Sequence, residues 1–167
     1  NYVITDSSVV SDKHVVEFGD NALIYAVDTK FPEVGIAVLK LVEGKAPASV
    51  RVADSTQVRL GQSVVALPSA SGTRVGIGAV TAKYTLGRVG SAGEEVPIRA
   101  LDTNIGGKIA YGAPLLNAFG DVLGIATGIS QGPSGGVGTF VALSDLTPLF
   151  LNVRGTSTPA LPDTIAH

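Results

Sequence analysis

The sequence contains no cysteine, almost no histidine, no long apolar run and no cluster of basic residues. Without cysteine, disulfides, thiolate catalysis and cysteine zinc sites are excluded. Histidine occurs only at His14 and His167, so imidazole chemistry is confined to those positions. No apolar run approaches the roughly 20 residues that a membrane helix requires. The net charge of −2, without a basic run, gives no electrostatic support for binding nucleic acid or an anionic membrane.

Aliphatic residues and turn-forming residues are abundant instead. Of the 167 residues, 45% are hydrophobic, 21 are glycine and 9 are proline. Apolar, β-branched segments separated by glycine, proline, serine and threonine predict an all-β chain with many turns. This length is enough for one domain or for two small ones.

The segment 106–129 has the clearest succession of loop, strand and turn signals in the chain. It begins with a glycine-rich loop, turns at Pro114 into a short apolar strand, turns again at 119–121, and returns in a second apolar strand. This order predicts a β-hairpin. Gly124 interrupts the second strand, which indicates a bulge or a close approach of another backbone.

The remaining sequence predicts further strands in a regular series. A strand opens the chain and is followed at Asp6-Ser7-Ser8 by a turn that we interpret as solvated. The pattern predicts a hairpin over 14–28, a linker over 44–49, and a short C-terminal helix over 144–152. Single strands are predicted over residues 35–41, 63–67, 75–81, 96–102 and 136–143.

Several of these segments resemble the HtrA (DegP/DegS) family of trypsin-like serine proteases. The hairpin residues that carry the resemblance are Pro114-Leu115-Leu116-Asn117 and Gly120-Asp121-Val122-Leu123-Gly124-Ile125. Matching segments elsewhere, in the family's order, are Asp54-Ser55, Val58–Gly61, Val64–Leu67 and Gly76–Thr81. The resemblance covers about residues 1–152 and implies two six-stranded trypsin-like β-barrels. It implies a first barrel, truncated at its N-terminus, over 1–45, a second over 46–152, and a linker or tail over 153–167.

The resemblance also identifies the three positions that carry the family's catalysis. Ser8 stands where the family has its histidine, and Gly35 stands where it has its aspartate. Tyr111, or Ala110 if the loop register shifts by one, stands in place of the nucleophilic serine. Because members of such a triad act as a unit, the resemblance implies an inactive relative, a pseudoprotease.

What this relative would retain is peptide or protein binding. The residues that the resemblance implies for binding are Gly112, Gly136, Val137, Gly138, Thr139 and Phe140. An extended ligand would add to this last strand through main-chain hydrogen bonds. The resemblance further implies an extracytoplasmic location and is compatible with an upstream membrane tether. A first barrel that lacks strands has unpaired edges, so we expect self-association or another segment to cover them.

Two alternative functions remain open from the sequence. An active endopeptidase could combine Lys108 with Ser7, Ser8 or Ser130 in a serine–lysine arrangement. A carboxylate metal-binding module is the other alternative, although no DxDxDG-type loop occurs. The glycines before Lys108 do not fit a phosphate-binding loop, which needs GxxxxGK[ST] opening a helix. The sequence implies no cofactor.

Overall fold

The computed structural model describes residues 2–11, 15–18, 23–46, 48–68, 75–89, 93, 95–106, 109–129 and 138–146. The site candidates His14, Lys108, Ser130, Gly136 and Val137 lie outside these ranges, as do the predicted tail and most of the predicted C-terminal helix. The described ranges contain ten β-strands and short 3-10 helices. None of the helices in these ranges has the length and apolar character needed to span a bilayer. The prediction of an all-β chain is confirmed.

The first part of the chain forms a four-stranded antiparallel sheet. Its strands are β1 (Tyr2–Asp6), β2 (Val15–Phe18), β3 (Leu23–Phe31) and β4 (Ile36–Glu43). The spatial order is β1-β4-β3-β2, so β1 and β2 are the outer strands among the described residues. The predicted hairpin over 14–28 is confirmed as β2 and β3, and the strand predicted over 35–41 is confirmed as β4.

The second part forms a closed six-stranded barrel. Its strands are β5 (Ser63–Ala66), β6 (Gly76–Val89), β7 (Glu95–Thr103), β8 (Pro114–Leu116), β9 (Val122–Ile125) and β10 (Thr139–Ala142). The order around the barrel is β10-β7-β6-β5-β8-β9, and neighbouring strands are antiparallel. Closure removes the free sheet edges that would otherwise be open to pairing.

Strand β6 is longer than predicted. The prediction ended at Thr81, whereas the strand continues to Val89 and pairs with β7 as far as Glu95. The residues after Thr81 keep an alternation of Ala82, Tyr84 and Leu86 with Lys83, Thr85 and Gly87, a strand pattern that the prediction did not use. Lys83 is one of them, and its amine donates a hydrogen bond to the carbonyl of Val58. A long polar side chain with its own partner is therefore accommodated within the strand.

The hairpin predicted at the end of the segment 106–129 is present as β8 and β9. A register shift between Leu115 and Leu116 introduces a bulge, as the position of Gly124 indicated. A Cβ atom at Gly124 would lie 2.6 Å from the carbonyl oxygen of Val141 in β10. Glycine is therefore needed here because the backbones of β9 and β10 approach each other closely.

Apolar side chains form three buried clusters. The first fills the barrel around Phe140 and Leu115, and the third covers one face of the four-stranded sheet around Tyr25 and Leu39. The second cluster joins the two sheets, because it includes Ile36 from β4 together with barrel residues. Burial of apolar area is the main favourable term in folding, so this shared cluster fixes the sheet against the barrel.

Two polar contacts attach the irregular segments to the barrel. Arg51 makes a bidentate ion pair with Asp121 at 2.7–2.8 Å, which holds the segment before β5 alongside β9. The hydroxyl of Ser55, fully buried, donates to Asp145 at 3.0 Å and accepts from Arg99 at 2.8 Å. Asp145 belongs to the 3-10 helix Ser144–Leu146, so this second contact anchors the end of the described chain.

Candidate functional site

The three positions that the resemblance assigns to the protease triad lie around the segment 126–129, which follows β9. The backbone N–H of Ser7 donates to the carbonyl of Gly35 at 2.9 Å. The carboxylate of Asp6 accepts from the N–H of Gly128 at 2.8 Å. The ring of Tyr111 lies 3.9 Å from the place that a Cβ atom on Gly128 would occupy. Residues far apart in sequence are therefore gathered at the junction of sheet and barrel.

Ser8, at the position of the general base, is exposed and is held by its neighbour Asp6. Its N–H donates to Oδ1 of Asp6 at 2.7 Å, and its hydroxyl donates to the same oxygen. Asp6 is the N-cap of the 3-10 helix Ser7–Val9, a role that its short carboxylate side chain suits. A serine hydroxyl has no pKa near neutrality, so Ser8 cannot accept a proton as imidazole does.

The interpretation of Asp6-Ser7-Ser8 as a solvated turn is wrong for Asp6. This residue is 1% exposed. The turn itself is present, but the segment 126–129 covers Asp6 and supplies the Gly128 N–H as a partner. A buried carboxylate is tolerated only where hydrogen bonds compensate its loss of hydration, and here Ser8 and Gly128 provide them.

Gly35, which the resemblance places at the aspartate position, is a tight place for a side chain. It follows the 3-10 helix Pro32–Val34 and has a φ of +70°, in the left-handed region that favours glycine. A Cβ atom here would lie 3.1 Å from Cδ1 of Ile129 and 3.2 Å from Cβ of Thr127. A side chain here would therefore require Ile129 or Thr127 to shift by a few tenths of an ångström.

The loop that would carry the nucleophile places Tyr111 and Ala110 in a turn before β8. The turn is closed by a 3.1 Å hydrogen bond from the N–H of Ala113 to the carbonyl of Ala110. Gly112 donates to the carbonyl of Ala126 at 2.7 Å, which ties the loop to the segment after β9. Tyr111 is 43% exposed. Neither Tyr111 nor Ala110 offers the aliphatic hydroxyl that the family's acyl transfer uses.

The described part of the predicted binding strand is β10 with Gly138 before it. The side chain of Phe140 is fully buried in the barrel core, so it does not line a surface pocket. The hydroxyl of Thr139 donates to Oδ1 of Asp102 at 2.6 Å. The carbonyl of Gly138 accepts from the N–H of Thr103 at 2.8 Å and from its hydroxyl at 2.9 Å. The side chains of Thr139 and Phe140 are therefore committed to the fold.

The backbone edge of β10 is paired unequally. Strand β10 pairs with β7 from Thr139 to Val141, but its register with β9 covers only Val141 and Ala142. On the β9 side, the described strand therefore extends beyond its partner at Thr139 and Phe140. Because Gly138 and Phe140 are buried and Thr139 is partly exposed, Thr139 is the described residue at which an extended peptide can reach this strand end.

A hydroxyl and a phenol share the carboxylate of Asp102 beside this edge. The phenol of Tyr84 donates to the same Oδ1 at 3.1 Å. Partial burial, and then the negative charge of Asp102, raise the pKa of Tyr84 above its ordinary value. Tyr84 therefore stays neutral in the physiological range and serves as a hydrogen-bond donor. No group of three potential metal ligands occurs within the part of the chain that the structure describes.

The sequence reasoning missed Asp6, Gly128 and Ile129 as members of this site. Asp6 had a usable signal, because an aspartate two residues before a serine often caps a turn. Gly128 and Ile129 carried no local signal. Their role depends on where the chain returns after β9, which is a matter of tertiary structure.

Comparisons with known proteins support the fold and only the fold. No protein-family model matches the sequence, and no curated protein sequence matches it either. The crystal structure of the active form of the Rv3671c protease from M. tuberculosis superposes with a TM-score of 0.68 and 19% identity. That match covers 95% of this chain and 71% of the protease. The HtrA-type protease AlgW with a decapeptide also gives 0.68, at 23% identity.

The AlgW match covers 92% of this chain but 48% of AlgW, so the chain spans about half of that protease. Identities this low establish the arrangement of strands and not an activity. Both matches cover more than nine tenths of this chain and therefore include the four-stranded sheet and the closed barrel. The chain has the trypsin-like fold of HtrA-type proteases.

Proposed function

We propose that this chain is a catalytically inactive HtrA-like domain, a pseudoprotease, that binds extended peptide or protein segments. The observation that carries the proposal is that a glycine with a φ of +70° stands at the position that the resemblance assigns to the catalytic carboxylate. A side chain there would need this strained backbone and a shift of Ile129 or Thr127 by a few tenths of an ångström.

The residues at the other two positions support the same conclusion. Ser8 directs its hydroxyl to Asp6, and Tyr111 packs against Gly128. The described residues include no histidine and the sequence includes no cysteine, so this part of the chain has no group that titrates near neutrality as a general base. Removing triad members costs several powers of ten in rate, leaving only weak residual catalysis.

The proposed binding mode is the addition of a strand at the β9-side edge of β10. Thr139, partly exposed between the buried Gly138 and Phe140, lies beyond the register of β10 with β9. AlgW, which shares the fold, has been seen with a decapeptide. Because Phe140 is buried and Thr139 is bound to Asp102, affinity would come from main-chain hydrogen bonds more than from side-chain pockets.

The absence of catalysis is tested with casein as an unfolded substrate and a fluorophosphonate probe for activated serines. We expect neither cleavage over hours nor labelling, both for the native chain and for a Tyr111→Ala variant. Cleavage together with labelling of Ser7, Ser8 or Ser130 would refute the proposal and favour the serine–lysine alternative. An active HtrA-type protease serves as the positive control for substrate and probe.

The binding mode is tested by titrating extended peptides while backbone amide signals are followed by NMR. We expect saturable shifts centred on 138–140. A peptide of the same sequence with alternate amides N-methylated is the matched control, because it keeps the side chains and loses the donors. Equal binding by both peptides, or no saturable shift in these residues, would contradict strand addition.

The fold also supports an extracytoplasmic location, since this fold is frequent in proteases that work outside the cytoplasm. The test is to fuse the natural full-length protein to a reporter that is active only after export. Reporter activity would support this assignment. An inactive fusion, with the protein intact in the cytosolic fraction, would overturn it.

A further inference from the structure

The half-buried carboxylate of Asp102 in β7 has two neutral partners and no counter-charge among the described residues. Its Oδ1 accepts from the hydroxyl of Thr139 at 2.6 Å and from the phenol of Tyr84 at 3.1 Å. The ion pairs within this part of the chain do not involve Asp102. The described side chains therefore bond to Oδ1 and leave Oδ2 and the negative charge of the group without a protein partner.

Two other carboxylates attached to the barrel each have an arginine of their own. Asp121 pairs with Arg51 at 2.7 Å, and Asp145 pairs with Arg99 at 3.2 Å. A partly buried charge is stabilised by an opposite charge close to it. Asp102 differs from Asp121 and Asp145 because the described part of the chain supplies it with hydroxyl donors and no cation.

Asp102, Tyr84 and Thr139 lie together on one face of the barrel wall. Thr139 lies directly opposite Asp102 in the register of β10 with β7. Tyr84 lies opposite Ala100, two residues before Asp102. Directly opposed residues and alternate residues of a strand share a face. Phe140, the next residue after Thr139, is fully buried in the barrel core, so the three side chains lie on the face away from that core.

This cluster is accessible beside the strand end at which a peptide is proposed to bind. Tyr84 is 40% exposed, and Asp102 and Thr139 are partly exposed. A peptide strand added next to Thr139 would lie about 10 Å from β7, which is twice the usual spacing of strands. Among positively charged side chains, lysine and arginine have the long stems needed to cross Thr139 and reach Asp102.

We propose that Asp102, Tyr84 and Thr139 form a subsite for an arginine side chain of the bound peptide, an inference that rests on the proposed peptide binding. The guanidinium donates to Oδ2 of Asp102 and lies against the exposed part of the Tyr84 ring. Lysine supplies the charge but lacks the planar group that stacks on an aromatic ring. Main-chain hydrogen bonds supply the affinity, and this subsite selects among peptides.

The subsite is tested first without a peptide backbone, by titrating N-acetylarginine amide and following the protein by NMR. N-acetylcitrulline amide is the matched control, because citrulline keeps the length and shape of arginine and has no charge. We expect saturable shifts at Asp102, Tyr84 and Thr139 with the arginine compound alone. Equal shifts with both compounds, or none with either, would overturn the subsite whether or not longer peptides bind.

The selection of peptides is tested with two peptides of alternating threonine and valine that carry one central arginine or one central citrulline. Because the rest of each peptide repeats, it can slide until the central side chain is beside Asp102. We expect the arginine peptide to bind at least about fivefold more tightly. Equal affinity would overturn the arginine preference and leave strand addition standing. Binding of neither peptide would overturn strand addition, and with it a peptide as the occupant of the subsite.

Three variants identify the groups responsible for this preference. Asp102→Asn keeps an acceptor oxygen for both hydroxyls and should abolish the preference without weakening the citrulline peptide. Tyr84→Leu should reduce the preference, because the ring is lost. Asp28→Asn is the matched control, since it removes an equal charge at an exposed position of β3, and it should leave the preference intact. Circular dichroism shows whether each variant is folded. A folded Asp102→Asn variant that still prefers arginine would overturn the proposal.

Discussion

The carboxylate of Asp6 accepts a hydrogen bond from the backbone N–H of Gly128, 2.8 Å away and 122 residues distant in sequence. This contact joins the end of β1 to the segment that leaves β9. Asp6 also caps the 3-10 helix Ser7–Val9. One buried side chain therefore fixes both the local turn and the approach of the sheet to the barrel.

Replacing Asp6 by asparagine should destabilise the chain although the shape is preserved. Asparagine has one acceptor oxygen, so either Ser8 or Gly128 would lose its partner and face an N–H group. Leaving a buried donor unpaired costs about 1–3 kcal/mol. Urea unfolding followed by circular dichroism measures the loss. Asp28→Asn is the control, since Asp28 is exposed, and an equal effect of the two substitutions would contradict this role for Asp6.

Restoring the triad residues should not restore proteolysis. In a Ser8→His, Gly35→Asp, Tyr111→Ser variant, the new aspartate would need a φ of +70° and would meet Ile129 at 3.1 Å. Backbone strain of this kind costs on the order of 1–3 kcal/mol, before the contact with Ile129 is counted.

The measurement for this triple variant is casein turnover beside labelling by a fluorophosphonate. The Ser8→His, Tyr111→Ser double variant is the control for folding, because it leaves Gly35 unchanged. Turnover by the triple variant near that of an active protease would show that the space at Gly35 opens readily. The inactivity proposed for the native chain would then rest on its residue types alone.

Substituting alanine for Gly124 should destabilise the barrel. The new Cβ atom would lie 2.6 Å from the carbonyl oxygen of Val141, and two paired backbones cannot separate without loss of hydrogen bonds. We expect a loss of about 1–3 kcal/mol, as for other overpacked positions. Gly106→Ala is the matched control, because no atom lies within 4 Å of its Cβ position. Thermal unfolding of the two variants should differ clearly in midpoint.

The ion pair between Arg51 and Asp121 should make stability depend on pH in the acid range. Hydrogen bonds from Arg51 and Asn117, and then the positive charge of Arg51, lower the pKa of Asp121 below its ordinary value of 3.8. A carboxylate with a depressed pKa stabilises the fold above 3.8, and this contribution is lost as pH falls through the lowered pKa.

This pH dependence is measured by urea unfolding at several pH values between about 2 and 6, a range that includes the ordinary pKa of a carboxyl group. In an Arg51→Gln variant the difference in stability between the two ends of the range should be smaller. Lys45→Gln, which removes a positive charge elsewhere, is the control. The ion pair would have no such role if both variants retained the full dependence on pH.

Many local features of the fold were predictable from the sequence because they depend on neighbouring residues. Pro114 and Gly120 mark the ends of the short strands of the β8–β9 hairpin, and Gly124 indicated the close approach that the structure contains. The extent of β6 was predicted too short. Ala82, Tyr84 and Leu86 alternate with polar residues as in a strand, but where the strand ends depends on how far β7 pairs with it.

The candidate site was likewise predictable in part. Its chemical limits follow from the sequence, since no arrangement of the chain can turn Ser8, Gly35 or Tyr111 into imidazole, carboxylate or aliphatic hydroxyl. The burial of Asp6 was predicted wrongly, because a polar triplet looks solvated until the segment 126–129 is placed over it. The burial of Phe140 likewise depends on the closed barrel.

The sequence by itself therefore determined which chemical groups the site can contain, the alternation of most strands and the positions of the main turns. The alternation and the turns depend on interactions within a few residues. Tertiary structure alone decided that Ile129 fills the space beside Gly35 and that Gly128 pairs with Asp6. The physical reason is that burial and hydrogen-bond partners depend on which distant segments meet, and that is settled only when the sheet and the barrel pack around a shared core.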